Sequence, residues 1–483
     1  MARVISYDDA AHILRRMGFG GSPDQINSLA SMSGEDAVNS LINYSNVDDT
    51  ASDNLLKGAF DFSDPTNMTN FNPNLLRAWW VAKMVFTKRP FQEKMTLFWH
   101  NHFATALSKV QDTFMYIQNL TLRQHALDRF DTLLLQVAQD PAMLIWLDGI
   151  TNVAAKPNEN FARELQELFT MGIKDVVTGE ANYTQADVIQ VARAFTGWTF
   201  HRTAGGGLYD YTFAVNAAQH DNGSKTIYGQ AANFKGEDVI TIIANRMATP
   251  RFLVKKLFEF FVYPLDITNS GDAATIDKFA SVYMANDHSI LALVQAIFTS
   301  DEFFGDRARF GLVKNPIEFI VGSIRMLGAT YNPGTASPAR HDGSLYQGSA
   351  NMGMDMFDPP NVAGWNLNGG FIDTAAMLYR FNFANSLISS RPGNPSTATG
   401  AFVTANQLSG FARANAKKTA RNLLQAFGPL LVDGGTFKSL RTYLQTDDTG
   451  NFSFFDSTNS AIVDERLRGA IHLTMSLPEY NLN

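Results

Sequence analysis

The densest chemistry in the sequence is Trp99-His100-Asn101-His102. Two imidazoles this close suit metal binding or proton transfer, because histidine titrates near neutral pH and is a common metal ligand. On a strand, His100 and His102 would share one face. On a helix they stand roughly 200° apart, so they serve one centre only if the helix ends or bends near Trp99. The preceding pattern is helical. It lays His102 over Phe98 and Met95 on the apolar stripe, and His100 two turns above Glu93. One reading makes His102 a satisfied core histidine and His100 a surface partner of Glu93. The other takes two polar rings beside Trp99 as groups with perturbed pKa values, which cluster at functional sites.

A second constellation runs from Asn158 to Phe169, Asn-Glu-Asn-Phe-Ala-Arg-Glu-Leu-Gln-Glu-Leu-Phe. Phe161, Leu165, Leu168 and Phe169 form an apolar helical stripe, and Arg163 and Glu167 are spaced as a surface ion pair. Glu164 falls between Phe161 and Leu168, on the face expected to be buried. A buried carboxylate must be paired, bind a metal or be protonated. It is either a structural partner of an Arg or His, or a general acid/base or metal ligand facing His100 or His102. Helical bundles build sites this way, from inward carboxylates and histidines on facing helices. The paired Glu-x-x-His of di-iron bundles is absent. The catalytic candidates are His100, His102 and Glu164, with Arg163 and Glu93 beside them. His100, His102 and Glu164 are also the metal candidates. A divalent metal is the cofactor that set would hold, and the cofactor is otherwise open.

Candidates for substrate contact are Trp99, Trp198, Trp365, Asn361, His220 and Asp221. Trp198 follows Gly197 at a helix end, and Trp365 closes the rigid run Pro359-Pro360-Asn361-Val362-Ala363-Gly364. A tryptophan beside glycine either lines a cleft for a sugar or peptide, or plugs a core. His220-Asp221, followed by Lys225, is either a lid or turn chemistry.

Positioning these groups falls to helices. Ser6-x-x-Asp9 and Ser22-Pro23-x-Gln25 are helix starts, flanking a glycine-rich connection at 18–21, and Thr184-x-x-Asp187 is another. Helices are expected over about 74–88, 90–103, 113–139, 158–171 and 184–196, with residues 34–70 partly loop. Residues 199–234, with Gly205–Gly207, alternating aromatics and Asp221-Asn222-Gly223, read as a small β-hairpin excursion. Residues 340–372 read as a long structured loop. The fold class is mainly α, a large multi-helix bundle-like body with a small β-hairpin insertion. The expected organisation is a main body over 1–388, a linker-like loop over 389–402, and C-terminal helices over 403–483 packed on the body.

Composition removes several functions. The 483 residues include no cysteine, so thiolate metal sites, disulfides and cysteine nucleophiles are excluded. A net charge of −7, from 39 basic and 46 acidic residues, argues against nucleic-acid binding. There is no Gly-x-Ser-x-Gly elbow for a hydrolase serine. No apolar run is long enough to span a membrane. Residues 1–9 lack the apolar core of a secretory leader, so the chain is either cytoplasmic or has lost one.

The motifs together resemble the bacterial domain-of-unknown-function family numbered 1800. They are Ala-Ala-His-Ile-Leu-Arg-Arg-Met-Gly-Phe-Gly from Ala10 and Glu-Lys-Met-Thr-Leu-Phe-Trp-His-Asn-His-Phe from Glu93. With them stand Asp-Pro-Ala-Met-Leu-Ile-Trp-Leu-Asp-Gly from Asp140 and Asn-Glu-Asn-Phe-Ala-Arg-Glu-Leu from Asn158. Ala-Phe-Thr-Gly-Trp from Ala194 and Pro-Pro-Asn-Val-Ala-Gly-Trp from Pro359 complete the set. The likeness covers about residues 8–385, with a similar helical tail. It implies an exported, periplasmic or extracellular protein, often encoded beside an exported partner that resembles sulfatases. It supplies no catalytic residues. The expectation is an enzyme, metal-assisted or not, acting on an extracellular polymer or its fragments. The alternative is a non-catalytic binding or assembly protein that works with the sulfatase-like partner.

Overall fold

The computed structural model describes residues 3–60, 62, 72–203, 210–333, 345–393 and 399–483. Among them are 23 α-helices and three two-stranded antiparallel sheets. The chain is mainly helical. Its apolar side chains join in one continuous core, from Ile5 near the start to Tyr480 near the end.

The expected caps form. Ser6 and Asp9, Ser22 and Gln25, and Thr184 and Asp187 each bond reciprocally, so two backbone groups at each helix start are satisfied. Pro73–Phe86 and Pro90–His102 are consecutive helices, each with proline in its first turn, where the missing N–H costs nothing. Asp140 stops one helix and starts the next. Its Oδ1 accepts from Ala142 N at 2.8 Å, capping Pro141–Trp146.

Three expectations change. Residues 34–59 are more ordered than their polar composition suggests. Gly34–Ile42 and Thr50–Ala59 are helices, because Ser33 caps the first and Ala37, Val38 and Ile42 bury its apolar side. The β excursion is two hairpins. Trp198–Arg202 pairs with Tyr211–Val215, and Lys225–Ile227 pairs with Gln230–Ala232. The second hairpin turns at Tyr228 and Gly229, both at positive φ, and not at Asp221-Asn222-Gly223. The glycine run at 205–207 lies outside the described residues. Within 345–372 the chain forms a helix, Leu345–Asn351, and a 3-10 turn, Asn368–Phe371.

A third sheet joins Thr330–Tyr331 to Ala401–Phe402. The Ser460–Met475 helix pins the same region. Arg468 donates to the carbonyls of Ser390 at 3.2 Å and Val403 at 2.9 Å, and also to Ile388. Farther on, the Tyr480 ring packs on Phe319 and Phe427, and its hydroxyl lies 2.7 Å from Ser323 Oγ.

Candidate functional site

The Pro90–His102 helix runs unbroken through Trp99, so its two histidines diverge. His100 enters a sealed aromatic nest, with ring centroids of Trp80, Phe357 and Trp365 at 5.3, 5.2 and 5.5 Å. Its Nε2 is buried and has no hydrogen-bond partner among the described residues. Burial pushes its pKa down to about 3, so the ring is neutral. His102 faces the other way. It stacks on Phe98 at 5.9 Å, meets Phe103 edge-on at 4.6 Å, and donates from Nε2 to Phe169 O at 2.9 Å. Burial, reinforced by the charge of Lys256, holds it at about 3 as well, against the bond to Phe169.

Glu93 is fully buried, and its partners are not histidines. Its carboxylate accepts from Arg123 Nε at 2.7 Å and Nη2 at 3.0 Å, and from Trp80 Nε1 at 2.9 Å. A carboxylate used in this way is a structural ion pair and has little capacity left for chemistry.

Glu164 is only half-buried. The inward face of the Asn160–Glu167 helix is Phe161, Ala162, Leu165 and Gln166, so the buried stripe is rotated from the one expected. Leu168 lies beyond the helix end. Partial burial raises the Glu164 pKa, helped by Glu167 and opposed by Arg163. Arg163 pairs with Glu159 at 2.9 Å, not with Glu167, which instead accepts from the Tyr183 hydroxyl. Among the described residues, no three His, Asp or Glu side chains stand together as a metal site. His100, His102 and Glu164 are therefore not brought to one centre.

The other candidates divide. Trp99 and Trp198 plug the core. Trp99 Nε1 donates to Ala126 O at 2.8 Å, and Trp198 lies between Phe195 and Phe213 at 4.7 and 4.8 Å. His220 and Asp221 tie the 220–225 turn to Arg193 and Thr196 at the end of the Gln185–Ala194 helix. His220 Nδ1 donates to Thr196 O at 2.8 Å, Asp221 binds Arg193 through both oxygens, and Lys225 donates to Asp221 O at 2.7 Å. Asn361 is exposed, and its Oδ1 accepts from Ala363 N at 2.8 Å. That turn delivers Gly364 and Trp365.

Gly364 explains why two motifs far apart in sequence meet. At φ +87°, it lies so close to Asn101 that an added Cβ would sit 2.3 Å from Asn101 Oδ1. Asn101 Oδ1 also accepts from Trp365 N at 2.7 Å. Asn101, between the two histidines, therefore clamps the Trp365 loop onto the end of their helix. The clamp bounds a cavity of about 370 Å³. Phe98, His102, Leu168 and Trp365 form walls, and Asn101, Asn366 and Asn368 supply amides. Lys256 and Glu259 reach it from the Ala248–Phe261 helix. Glu259 is held by Lys255. Lys256 has no hydrogen-bond or ion-pair partner among the described residues. Its ammonium lies 5.5 Å from the Phe252 ring centre, and burial lowers its pKa, with Glu259 opposing and Lys255 adding to the shift.

His102 and Trp365 are thus the predicted residues that share the cavity. Asn101, Lys256 and Glu259 were missed. A signal for the last two existed: Phe252, Lys256 and Glu259 are spaced four and three apart, so they share one face of a helix.

The chain matches the family described as Protein of unknown function (DUF1800) over residues 12–482 and belongs to it. No curated protein and no solved structure matches the chain. No helix among the described residues is long and apolar enough to cross a membrane.

Proposed function

We propose that the chain binds a small, hydroxyl-rich anion, a fragment of an acidic extracellular polymer, in the cavity over His102. Lys256 carries this reading, as an unpartnered ammonium at the edge of a cavity of about 370 Å³. The walls suit a sugar ring. Trp365 and Phe98 offer apolar faces, and Asn101, Asn366 and Asn368 offer both donors and acceptors for hydroxyls. With Glu259 neutralised by Lys255, the surplus charge is that of Lys256, which favours a carboxylate or sulfate on the ligand.

Binding is favoured over catalysis by the chemistry of His102. A general base works best with a pKa near the operating pH. At about 3, His102 is a weak base, and its Nε2 hydrogen is committed to Phe169 O. The non-catalytic reading extends to a periplasmic or extracellular setting and an exported sulfatase-like partner, which would act on the same acidic ligand. Co-elution of the two proteins checks that extension.

Calorimetry with glucuronate and glucose tests the ligand. The acid is expected to bind at least about tenfold more tightly, or ~1.4 kcal/mol. Lys256→Met is expected to remove that preference. Equal binding of both sugars, or of neither, overturns the reading.

A further inference from the structure

One residue after Glu93, Lys94 leaves the same helix for a second buried region. Its ammonium meets Glu318 and donates to Gly18 O at 2.9 Å. Around that pair stand Arg15, Arg16, Lys314 and Arg380, none more than 4% exposed. They share one field: Arg15, Arg380 and Lys94 all act on Lys314, and Arg15 acts on Arg16. Among the described residues, Glu318 is the carboxylate buried with them, and Asp8 reaches Arg15 from the surface.

Lys94 and Glu318 cancel, which leaves four cations. Burial, then Arg15, pushes Lys314 well below its ordinary value, so it sheds its proton most readily. The arginines do not. Burial lowers Arg16 to about 9 and Arg15 and Arg380 to about 10, so three positive charges persist at neutral pH. The field also reaches His12, which burial and then Arg16 and Arg15 hold neutral. The C-terminal end of the Tyr7–Arg16 helix offers about half a negative charge, far short of balance.

The hydrogen bonds do not close either. Lys314 donates to Tyr480 O at 2.6 Å, Arg380 to Lys314 O at 2.7 Å, and Arg16 to Ala308 O. Arg15 Nε and Nη1, Arg16 Nε and Nη1, and Arg380 Nε are buried without a hydrogen-bond partner among the described residues. Buried polar groups are nearly always satisfied, and unpaired buried charge is strongly unfavourable.

We propose that this cluster binds a small inorganic anion, held by the unpartnered N–H groups of Arg15 and Arg16, with Arg380 supplying further positive field. The site lies where the end of the Tyr7–Arg16 helix meets the chain before Pro316 and residues 480–481. It is separate from the His102 cavity and does not depend on what that cavity holds.

The test is thermal unfolding of the full chain at fixed ionic strength, with gluconate replaced stepwise by chloride or by inorganic phosphate. Gluconate is too bulky for a packed interior. One of the two anions is expected to raise the midpoint by about 3 °C along a saturating curve, as site binding requires. The arm that saturates at lower concentration identifies the anion. Arg15→Met is expected to abolish the saturating rise. Should that variant not fold, Arg15→Lys, which keeps the charge and loses the planar fork, is expected to raise the half-saturating concentration about tenfold. The absence of a saturating rise in the wild-type chain, or an unchanged half-saturation in the variant, overturns the proposal.

Discussion

Glu93 and Lys94 are neighbours on one helix, and they enter two interiors with opposite sums. Around Glu93 the account closes: one carboxylate, one guanidinium meeting it through two nitrogens, and the Trp80 N–H on a remaining lone pair. Around Lys94 it does not, because Glu318 faces several cations and five arginine nitrogens have no acceptor among the described residues. Both regions are buried and both contain charge, so burial alone does not separate scaffold from site. The separating quantity is what remains after every partner has been counted. By that measure Glu93 is scaffold, whereas Arg15, Arg16 and Lys256 are groups awaiting something.

The largest effect should come from breaking the closed side. Arg123→Met leaves Glu93 buried without its cation and is expected to cost about 3–5 kcal/mol in denaturant unfolding. The double variant with Glu93→Gln should recover much of that loss. If Arg123→Met costs under ~1 kcal/mol, the contrast between the regions is lost.

Acid sharpens the comparison from another direction. His100 and His102 have folded pKa values of about 3 against an ordinary 6.5. Their depressed pKa values stabilise the fold fully above pH 6.5, and that contribution is lost as pH falls towards 3, because the unfolded chain takes up protons first. Asp140, raised to about 7 by burial, acts in the opposite sense: its contribution is present below its ordinary 3.8 and is lost as pH rises to 7. His100→Phe should therefore remove up to about 1.4 kcal/mol of acid sensitivity per pH unit between pH 6 and 4. An unchanged slope would mean that His100 is not held neutral.

A smaller effect is expected on the open side. In gluconate, Arg15→Met should cost no more than ~1 kcal/mol, because it removes surplus charge as well as packing against Phe310. The smallest is Lys256→Met. Its stability should stay within about 0.5 kcal/mol of wild type, as for other substitutions outside the core, while acidic-sugar binding falls. A large stability loss there would make Lys256 structural.

Some of this was legible in the sequence. Caps at Ser6, Ser22 and Thr184 declare themselves through residues three apart, and the long apolar helices declare themselves by period. Partners distant in sequence do not. Nothing local to Glu93 points to Arg123, and nothing in the 359–365 motif points to Asn101. Glu164 failed for a narrower reason. The stripe that included Leu168 assumed a helix continuing past Glu167, and stopping there shifts which side faces inward. His102 was placed correctly on its apolar stripe, but its cavity is completed by Lys256 and Trp365, far along the chain.

The contacts of residues 480–482 have a kinetic consequence. Tyr480 packs on Phe319, Lys314 bonds its carbonyl, and Leu482 bridges to Val313. Meanwhile the first helix is fastened to residues 303–309 through His12, Arg16 and Asp9. A ribosome releases the amino-terminal partner long before the segments that complete its surroundings. Pairings so distant in sequence slow folding and prolong the exposure of apolar surface. The nascent protein must therefore wait, incompletely closed around its arginines, until the turn at Pro478–Asn481 has emerged.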